Sequence, residues 1–149
     1  AGMAAGSLGT LSAAPGMAAD EAGGKAKRRV LAPGGLLPDD SGYSQGIVAE
    51  AGRTVCVSGQ GPNDLNADME TQLRQTMENI GRVLAEAGAS FDNVVFVRGY
   101  FVDIARDLPI YRKVRKDYLV KPYPASSCVG VTALAIEGLE IEIEAIAVI

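Results

Sequence analysis

The sequence predicts an α+β domain in which two helices lie on one face of a mixed sheet. Two segments repeat apolar residues at steps of three and four, as amphipathic helices do. Five other segments alternate apolar and polar residues or are rich in β-branched and aromatic ones, which favours strands. Their order is strand, strand, helix, strand, helix, strand, strand, which is typical of a two-layer α+β domain. Because the helices cover only one face of such a sheet, we expect the other face to associate with copies of the same chain.

The first predicted elements are a β-hairpin and a long helix. Residues 44–60 contain two short strand patterns separated by a turn at Ala51 and Gly52. Asp68 is the expected N-cap of the first helix, and Gly88 is expected to end it. The apolar stripe of this helix consists of Met69, Leu73, Met77, Ile80, Leu84 and Ala87.

The remaining elements are three strands and a second helix. Residues 93–102 are rich in β-branched and aromatic side chains and predict a long strand. Asp107 is expected to start the second helix, with Pro109 in its first turn, where proline is tolerated. Residues 126–134 and 139–149 predict the two closing strands. The buried stripe predicted for the second helix consists of Leu108, Tyr111, Val114 and Tyr118.

The chain divides into a leader and one domain. Residues 1–24 are mostly alanine and glycine without an apolar period, and we expect a flexible leader over residues 1–30. Its basic residues follow the small-residue stretch, whereas a secretory signal has its charges first. An organelle transit peptide remains an alternative. Residues 31–149 are expected to form a single domain with one core.

Composition excludes several classes of protein. A net charge of −4 argues against a nucleic-acid partner, which requires a concentrated basic surface. No apolar run approaches the roughly 20 residues that a membrane helix needs. The absence of histidine removes the usual general base, and two cysteines are too few for a zinc site. Cys56 and Cys128 lie in apolar alternating runs, so we expect two buried thiols in a reducing compartment, the cytoplasm, although the sequence leaves a disulfide open.

The last predicted strand carries three carboxylates on one face. Glu140, Glu142 and Glu144 alternate with apolar residues that are expected to face the core. After Glu144 the second face becomes apolar as well, so a carboxylate near this point is either half-buried or simply solvated. The alternation alone does not distinguish one glutamate from the others.

Six segments together resemble the Rid family, the reactive intermediate deaminases also known as YjgF-like proteins or endoribonuclease L-PSP. They are GYSQ at 42–45, VSGQ at 57–60, QLRQTMENI at 72–80, AGASFDNVVFVRGYFVDI at 87–104, PASSCVGV at 124–131 and IEIEAIA at 141–147. The resemblance implies a chorismate-mutase-like fold with the element order given above. It also implies a homotrimer with a cleft between each pair of subunits.

The resemblance implies hydrolysis of enamines or imines to a keto acid and ammonia, with no cofactor and no metal. An imine is already electrophilic, so its hydrolysis needs mainly a held substrate and a group that positions water and moves a proton. That group falls on Glu142. Tyr43, Ser58, Gly59 and Cys128 match other positions that line the cleft.

One position departs from the family. The family's motif P-A-R-S holds the substrate carboxylate with its arginine, and here PASS places Ser126 at that point. A hydroxyl offers one neutral donor where a guanidinium offers a charged fork. Arg98 and Arg112 are candidate replacement cations. Each is alternatively a surface or inter-subunit ion-pair partner, and Glu142 or Glu144 would serve Arg98 in that role.

Two functions are consistent with these observations. The first is hydrolysis of an imine, enamine or related small nitrogen-containing metabolite, with altered specificity because Ser126 replaces the arginine. In that case Glu142 is catalytic, and Ser58 and Ser126 donate hydrogen bonds. The alternative is a non-catalytic trimer that binds a small ligand or a partner protein in the same clefts. The acidic balance and the missing histidine disfavour a ribonuclease.

Overall fold

A computed structural model describes residues 27–31, 33, 42–50 and 52–149 of the chain. The strands are β1 (Arg28–Leu31), β2 (Gly46–Ala49), β3 (Thr54–Gln60), β4 (Val94–Phe101), β5 (Ala125–Gly130) and β6 (Ile141–Val148). The helices are α1 (Met69–Glu86) and α2 (Ile104–Val114). A short 3-10 turn, Phe91–Asn93, precedes β4, and another, Arg115–Asp117, continues α2.

The main sheet has four strands in the order β3-β6-β4-β5. β6 is antiparallel to both of its neighbours, whereas β4 and β5 are parallel. The predicted α+β fold with a mixed sheet and two helices on one face is therefore confirmed. β1 and β2 form a separate two-stranded sheet.

The predicted hairpin over residues 44–60 is wrong. Its first strand, β2, pairs with β1 and its second, β3, pairs with β6, so the two strands belong to different sheets. Arg53 exchanges two backbone hydrogen bonds with Ile149, at 2.6 and 3.0 Å, and this pairing guides the chain alongside β6. The expected boundary between leader and domain at residue 30 falls inside β1. Residues 1–26 of the expected leader lie outside the described part of the chain.

The first helix agrees with its prediction. The backbone N–H of Thr71 donates to Asp68 Oδ1 at 3.0 Å, which caps the helix N-terminus. Gly88 has a φ of +70°, a left-handed conformation that glycine adopts freely after a helix end. The apolar stripe is buried at Leu73, Met77, Ile80 and Leu84.

The second helix begins earlier than predicted. Asp103 is its N-cap and accepts a hydrogen bond from the backbone N–H of Arg106 at 3.1 Å. Pro109 consequently lies in the helix interior. Asp107, the predicted cap, is fully buried and accepts from Arg106 Nε at 2.6 Å and Nη2 at 2.9 Å. Both Asp103 and Asp107 precede residues with a helical pattern, so the sequence alone did not show which of them is the N-cap. Asp103 caps the helix, whereas Asp107 forms the ion pair with Arg106.

The core lies between the helices and the main sheet. Ile141 and Ile143 of β6 face the helices and are fully buried, while Glu142 and Glu144 point from the opposite, uncovered face. On the same covered face, the rings of Phe101 and Tyr111 pack 5.4 Å apart between β4 and α2. Neither α1 nor α2 is long and apolar enough to cross a membrane.

Candidate active site

A cavity of about 250 Å³ lies between α2 and β5. We call it the arginine cavity, because two guanidinium groups lie in its wall. Its lining contains no carboxylate, so positive charge predominates there. The lining residues are Tyr43, Ile104, Leu108, Arg112, Arg115, Ser126 and Cys128.

Strand pairing places Ser126 and Cys128 in the arginine cavity. Ser126 lies opposite Val97, and Cys128 lies opposite Gly99, in the parallel pair of β5 and β4. Residues in register on neighbouring strands share a face of the sheet, and Val97 is buried on the face that the helices cover. Ser126 and Cys128 therefore face α2.

Tyr43 reaches the same cavity from the start of the domain. The backbone N–H of the next residue, Ser44, donates to the carbonyl of Pro124 at 3.0 Å. The hydroxyl of Ser44 donates to the carbonyl of Tyr123. These two bonds hold Tyr43 beside the entry to β5, so four residues predicted from the sequence, Tyr43, Arg112, Ser126 and Cys128, meet in one cavity.

The sequence prediction missed Arg115. This residue begins the 3-10 turn after α2, and only 4% of its surface is exposed. Its guanidinium carbon lies 5.0 Å from the centre of the Tyr111 ring, and its Nη1 donates to Ser126 Oγ at 3.2 Å. Its Nε and Nη2 have no hydrogen-bond partner among the described residues. The sequence did contain a signal for Arg115. It lies four positions after Tyr111, on the side of the helix that the apolar pattern predicts to be buried, where a charged residue is unusual.

Burial keeps the thiol of Cys128 in its neutral form. Desolvation raises the pKa of Cys128, and the positive charges of Arg115 and Arg112 oppose part of that rise. Burial likewise raises the pKa of Tyr111 to about 12. Cys128 is thus a protonated, half-buried wall residue at neutral pH and is not poised as a thiolate nucleophile.

Glu142 lies on the other face of the sheet. It is opposite Tyr100 in the pairing of β6 with β4. On its other side its carboxylate lies against Gly59, where a Cβ atom would overlap the carboxylate. The register between β3 and β6 shifts between Val57 and Gln60, so Gly59 and the exposed Ser58 lie in an irregular stretch of strand.

Glu140, just before β6, and Glu142 and Glu144 within it differ in their partners. Glu140 accepts from Arg106 Nη2 at 2.6 Å, and Glu144 accepts from Arg98 Nη1 at 2.7 Å. Glu142 forms no ion pair within 4.0 Å with any cation of the described ranges. The structure thus distinguishes the middle carboxylate from its two neighbours.

Arg98 lies away from the arginine cavity. Besides its contact with Glu144, its guanidinium carbon is 5.1 Å from the centre of the Phe96 ring on the uncovered face. The ion-pair alternative for Arg98 is therefore the arrangement observed, with Glu144 as the partner. On the same face, opposite Ile146, Cys56 is exposed, so the expectation of a buried thiol there is wrong. Both cysteines are free.

Two groups of predicted residues are thus separate within one chain. Tyr43, Ser126, Cys128 and Arg112 line the arginine cavity at the β5 edge, on the covered face. Glu142, Gly59 and Ser58 lie on the other side of β4, on β6 and β3, and we call them the glutamate group. No residue of the glutamate group lines the arginine cavity.

The fold defines a YjgF-type α+β domain. The Yersinia pestis protein YyfB, described as a Rid protein of unknown function, superposes with a TM-score of 0.72 at 34% identity, over 82% of this chain and 98% of that one. RidA from an Antarctic Psychrobacter gives a TM-score of 0.61 at 34% identity, over 72% and 88%.

Sequence comparison gives the family directly. The family model of endoribonuclease L-PSP matches residues 37–149. The human 2-iminobutanoate/2-iminopropanoate deaminase is 33% identical in an alignment 131 residues long that covers 81% of this chain and 90% of the human protein. The chain belongs to the endoribonuclease L-PSP family, the Rid family that its motifs resemble.

Proposed function

We propose that this protein is a deaminase that hydrolyses small imines, and their enamine tautomers, to an oxo compound and ammonia. The relatives named 2-iminobutanoate/2-iminopropanoate deaminase support this activity. The observation that carries the proposal is the unpaired carboxylate of Glu142 between two ion-paired glutamates. A carboxylate without a cationic partner is free to accept a proton from water.

The proposed reaction uses one water and no electron transfer. Glu142 accepts a proton from water as the oxygen attacks the imine carbon, and the C=N double bond becomes a single bond. The same carboxyl group returns the proton to the nitrogen of the resulting carbinolamine. Glu142 then takes the proton of the carbinolamine hydroxyl and passes it to the nitrogen as the C–N bond breaks, and the products are the oxo compound and ammonia.

Assembly completes the site in this proposal. Because the arginine cavity and the glutamate group lie on opposite faces, the cavity of one subunit would face the Glu142 of the next in a homotrimer. The uncovered face of the sheet supports such packing, since Ile146 and Val129 are exposed there. The cytoplasmic location expected from the sequence stays an expectation.

The first test measures ammonia release from 2-iminopropanoate generated in solution. Glu142→Gln should reduce kcat/KM by about 100- to 10,000-fold, the usual contribution of a general acid–base group. Glu144→Gln is the matched control, because it alters a neighbouring glutamate on the same strand face. A Glu142→Gln protein with unchanged turnover would contradict the proposal.

The second test asks whether one site uses two subunits. Two inactive variants are mixed and reassembled: Glu142→Gln, which keeps the cavity, and Ser126→Phe, which fills it. If the site lies between subunits, some sites in mixed assemblies regain both groups, and activity returns. If both groups act within one chain, mixing restores nothing.

Ser126 favours a second candidate function. It supplies no charge at the position where the family motif has an arginine. A non-catalytic protein would bind a small ligand in the arginine cavity and turn nothing over. Saturable binding without ammonia release from any imine tested would support that function over the first.

A further inference from the structure

We propose that Arg115 is the anion-binding residue of the arginine cavity and takes the substrate's carboxylate group on its Nε–Nη2 edge. The identity of that anion as the carboxylate of an imino acid rests on the proposed deaminase function. The anion site itself depends only on the geometry of the cavity.

The charge of Arg115 lacks compensation. A buried guanidinium is costly unless carboxylates or carbonyl groups receive its N–H bonds. Arg115 is 4% exposed, and no carboxylate in the described ranges lies within 4.0 Å of its nitrogens. The Tyr111 ring offers only a cation–π contact. A small anion in the cavity would supply the missing partner.

The free edge of Arg115 has the shape that a carboxylate requires. Nη1 is occupied by its hydrogen bond to Ser126 Oγ, which leaves Nε and Nη2. The N–H bonds of these two nitrogens point in parallel along one edge of the planar group and match the two oxygens of a carboxylate. Nε and Nη2 are both covered by protein in the single chain. Binding of the anion therefore requires the guanidinium group to rotate so that this edge faces the arginine cavity.

Three neighbours of Arg115 suit an anion. Ser126 accepts from Arg115, and its own hydroxyl hydrogen, which is within hydrogen-bond reach of the Cys128 sulfur, can donate to a bound oxygen instead. Arg112 adds a second positive charge to the wall. Cys128 carries no negative charge at neutral pH, because burial raises its pKa. The volume of about 250 Å³ is below the usual range for drug-sized ligands and suits an acid of a few carbons.

Residues 115 and 126 also exclude one another as sites for a cation. The Ser126 hydroxyl is 3.2 Å from Arg115 Nη1, so the larger side chain of an arginine at 126 would compete with Arg115 for the same space and add a third guanidinium group to the cavity wall. Like charges close together repel strongly in a poorly solvated cavity. The small side chain of Ser126 leaves space for Arg115. The guanidinium group beside Ser126 therefore comes from the end of α2 instead of from β5.

The test measures binding of pyruvate, a 2-oxo acid, and of its uncharged amide by titration calorimetry. Loss of a charge-assisted pair in Arg115→Gln should weaken pyruvate binding about 10- to 200-fold. Binding of pyruvamide should change little. Arg115→Lys, which keeps the charge and lacks the fork, should fall between wild type and Arg115→Gln.

Two further variants keep the proposal falsifiable. Arg82→Gln removes an exposed arginine on α1 and should leave pyruvate binding unchanged. The double change Arg115→Gln with Ser126→Arg should restore pyruvate binding, because the cation returns to the same cavity from the strand. Circular dichroism and Tm show whether each variant is folded.

The outcomes separate this inference from the proposed function. Pyruvate binding that depends on Arg115, without any ammonia release from imines, would overturn the deaminase and leave the anion site standing. Deaminase activity and pyruvate binding that are both unchanged in a folded Arg115→Gln protein would overturn the anion site alone. Loss of binding in Arg112→Gln but not in Arg115→Gln would also overturn it.

Discussion

The carboxylate of Glu142 lies against the backbone of Gly59, at a place where no side chain fits. The φ of Gly59 is not in the left-handed region, so its backbone conformation is open to any residue. Glycine is required here for close approach and not for chain geometry. The strand irregularity between Val57 and Gln60 brings this bare backbone under the carboxylate.

Gly59→Ala should therefore act on Glu142. The added methyl group would displace the carboxylate, and we expect kcat/KM to fall by about 100-fold or more because a misplaced acid–base group loses most of its contribution. The measurement is ammonia release, with Tm as the control for folding. In a Glu142→Gln background the same substitution should have little further effect, and additive losses would contradict a shared mechanism.

Glu144→Gln should separate the ion-paired glutamate from Glu142, the one that we propose to be catalytic. It removes the carboxylate that accepts from Arg98, in a pair whose side chains are 41% and 33% exposed. Exposed pairs contribute little to the free energy of unfolding, so denaturant midpoints should shift only slightly and turnover should persist. A large loss of turnover in Glu144→Gln, with little loss in Glu142→Gln, would exchange the two assignments.

Asp107→Ala should destabilise the fold. Asp107 is fully buried and receives two charge-assisted bonds from Arg106, so its loss should lower the free energy of unfolding by about 1–3 kcal/mol. Urea unfolding measures this value. Glu140→Gln removes the more exposed partner of the same arginine and should cost less. Equal effects of the two variants would show that burial does not set the difference.

Glu70 should contribute to the free energy of unfolding at neutral pH and lose that contribution in acid. Hydrogen bonds from Lys113 and then Arg74 lower its pKa from the ordinary value of 4.5. A lowered pKa in the folded state means that the contribution is present above pH 4.5 and is lost as the pH falls through the folded-state pKa. Glu70→Gln should flatten the acid limb of unfolding free energy against pH. Glu78→Gln, on the same helix, is the control.

The titration of Cys128 reports the charge of Arg115. In a Cys56→Ser background, the rate of alkylation against pH should give a midpoint above the ordinary 9.0, because burial raises the pKa of Cys128. Arg115→Gln should move the midpoint higher still, since the positive charge opposes that rise. Arg82→Gln should leave it in place. A midpoint that Arg115→Gln does not move would place the guanidinium away from the thiol.

Local patterns account for the elements that were predicted well. The long helix has both a capping aspartate and a terminating glycine, and β4 and β6 have dense β-branched or alternating sequences. The pairing of β2 with β1 was missed because strand pairing is non-local, and because β1 is only four residues long and begins with two arginines. Local sequence patterns predicted the residues within each element better than the strand with which that element pairs.

The site was predictable in part for a similar reason. Glu142, Ser126 and Cys128 fall in segments that resemble the family's motifs, and Ser126 was noticed because it departs from one of them. Arg115 belongs to no such motif, and only its burial and its 3.2 Å contact with Ser126 reveal it. Its position on a helix stripe follows from periodicity, but its approach to a strand eleven residues later depends on how α2 packs against β5.

The proximity of Arg115 to Ser126 has a consequence for how relatives are grouped. Column-by-column alignment scores residue 126 alone and counts this chain among those that lost a cation. In the structure, positive charge is present in the arginine cavity, but it comes from α2 and the turn after it instead of from β5. Relatives are better grouped by the total charge of the residues that line the arginine cavity. A bound anion interacts with the electric field of all of these residues, whichever alignment position supplies the charge.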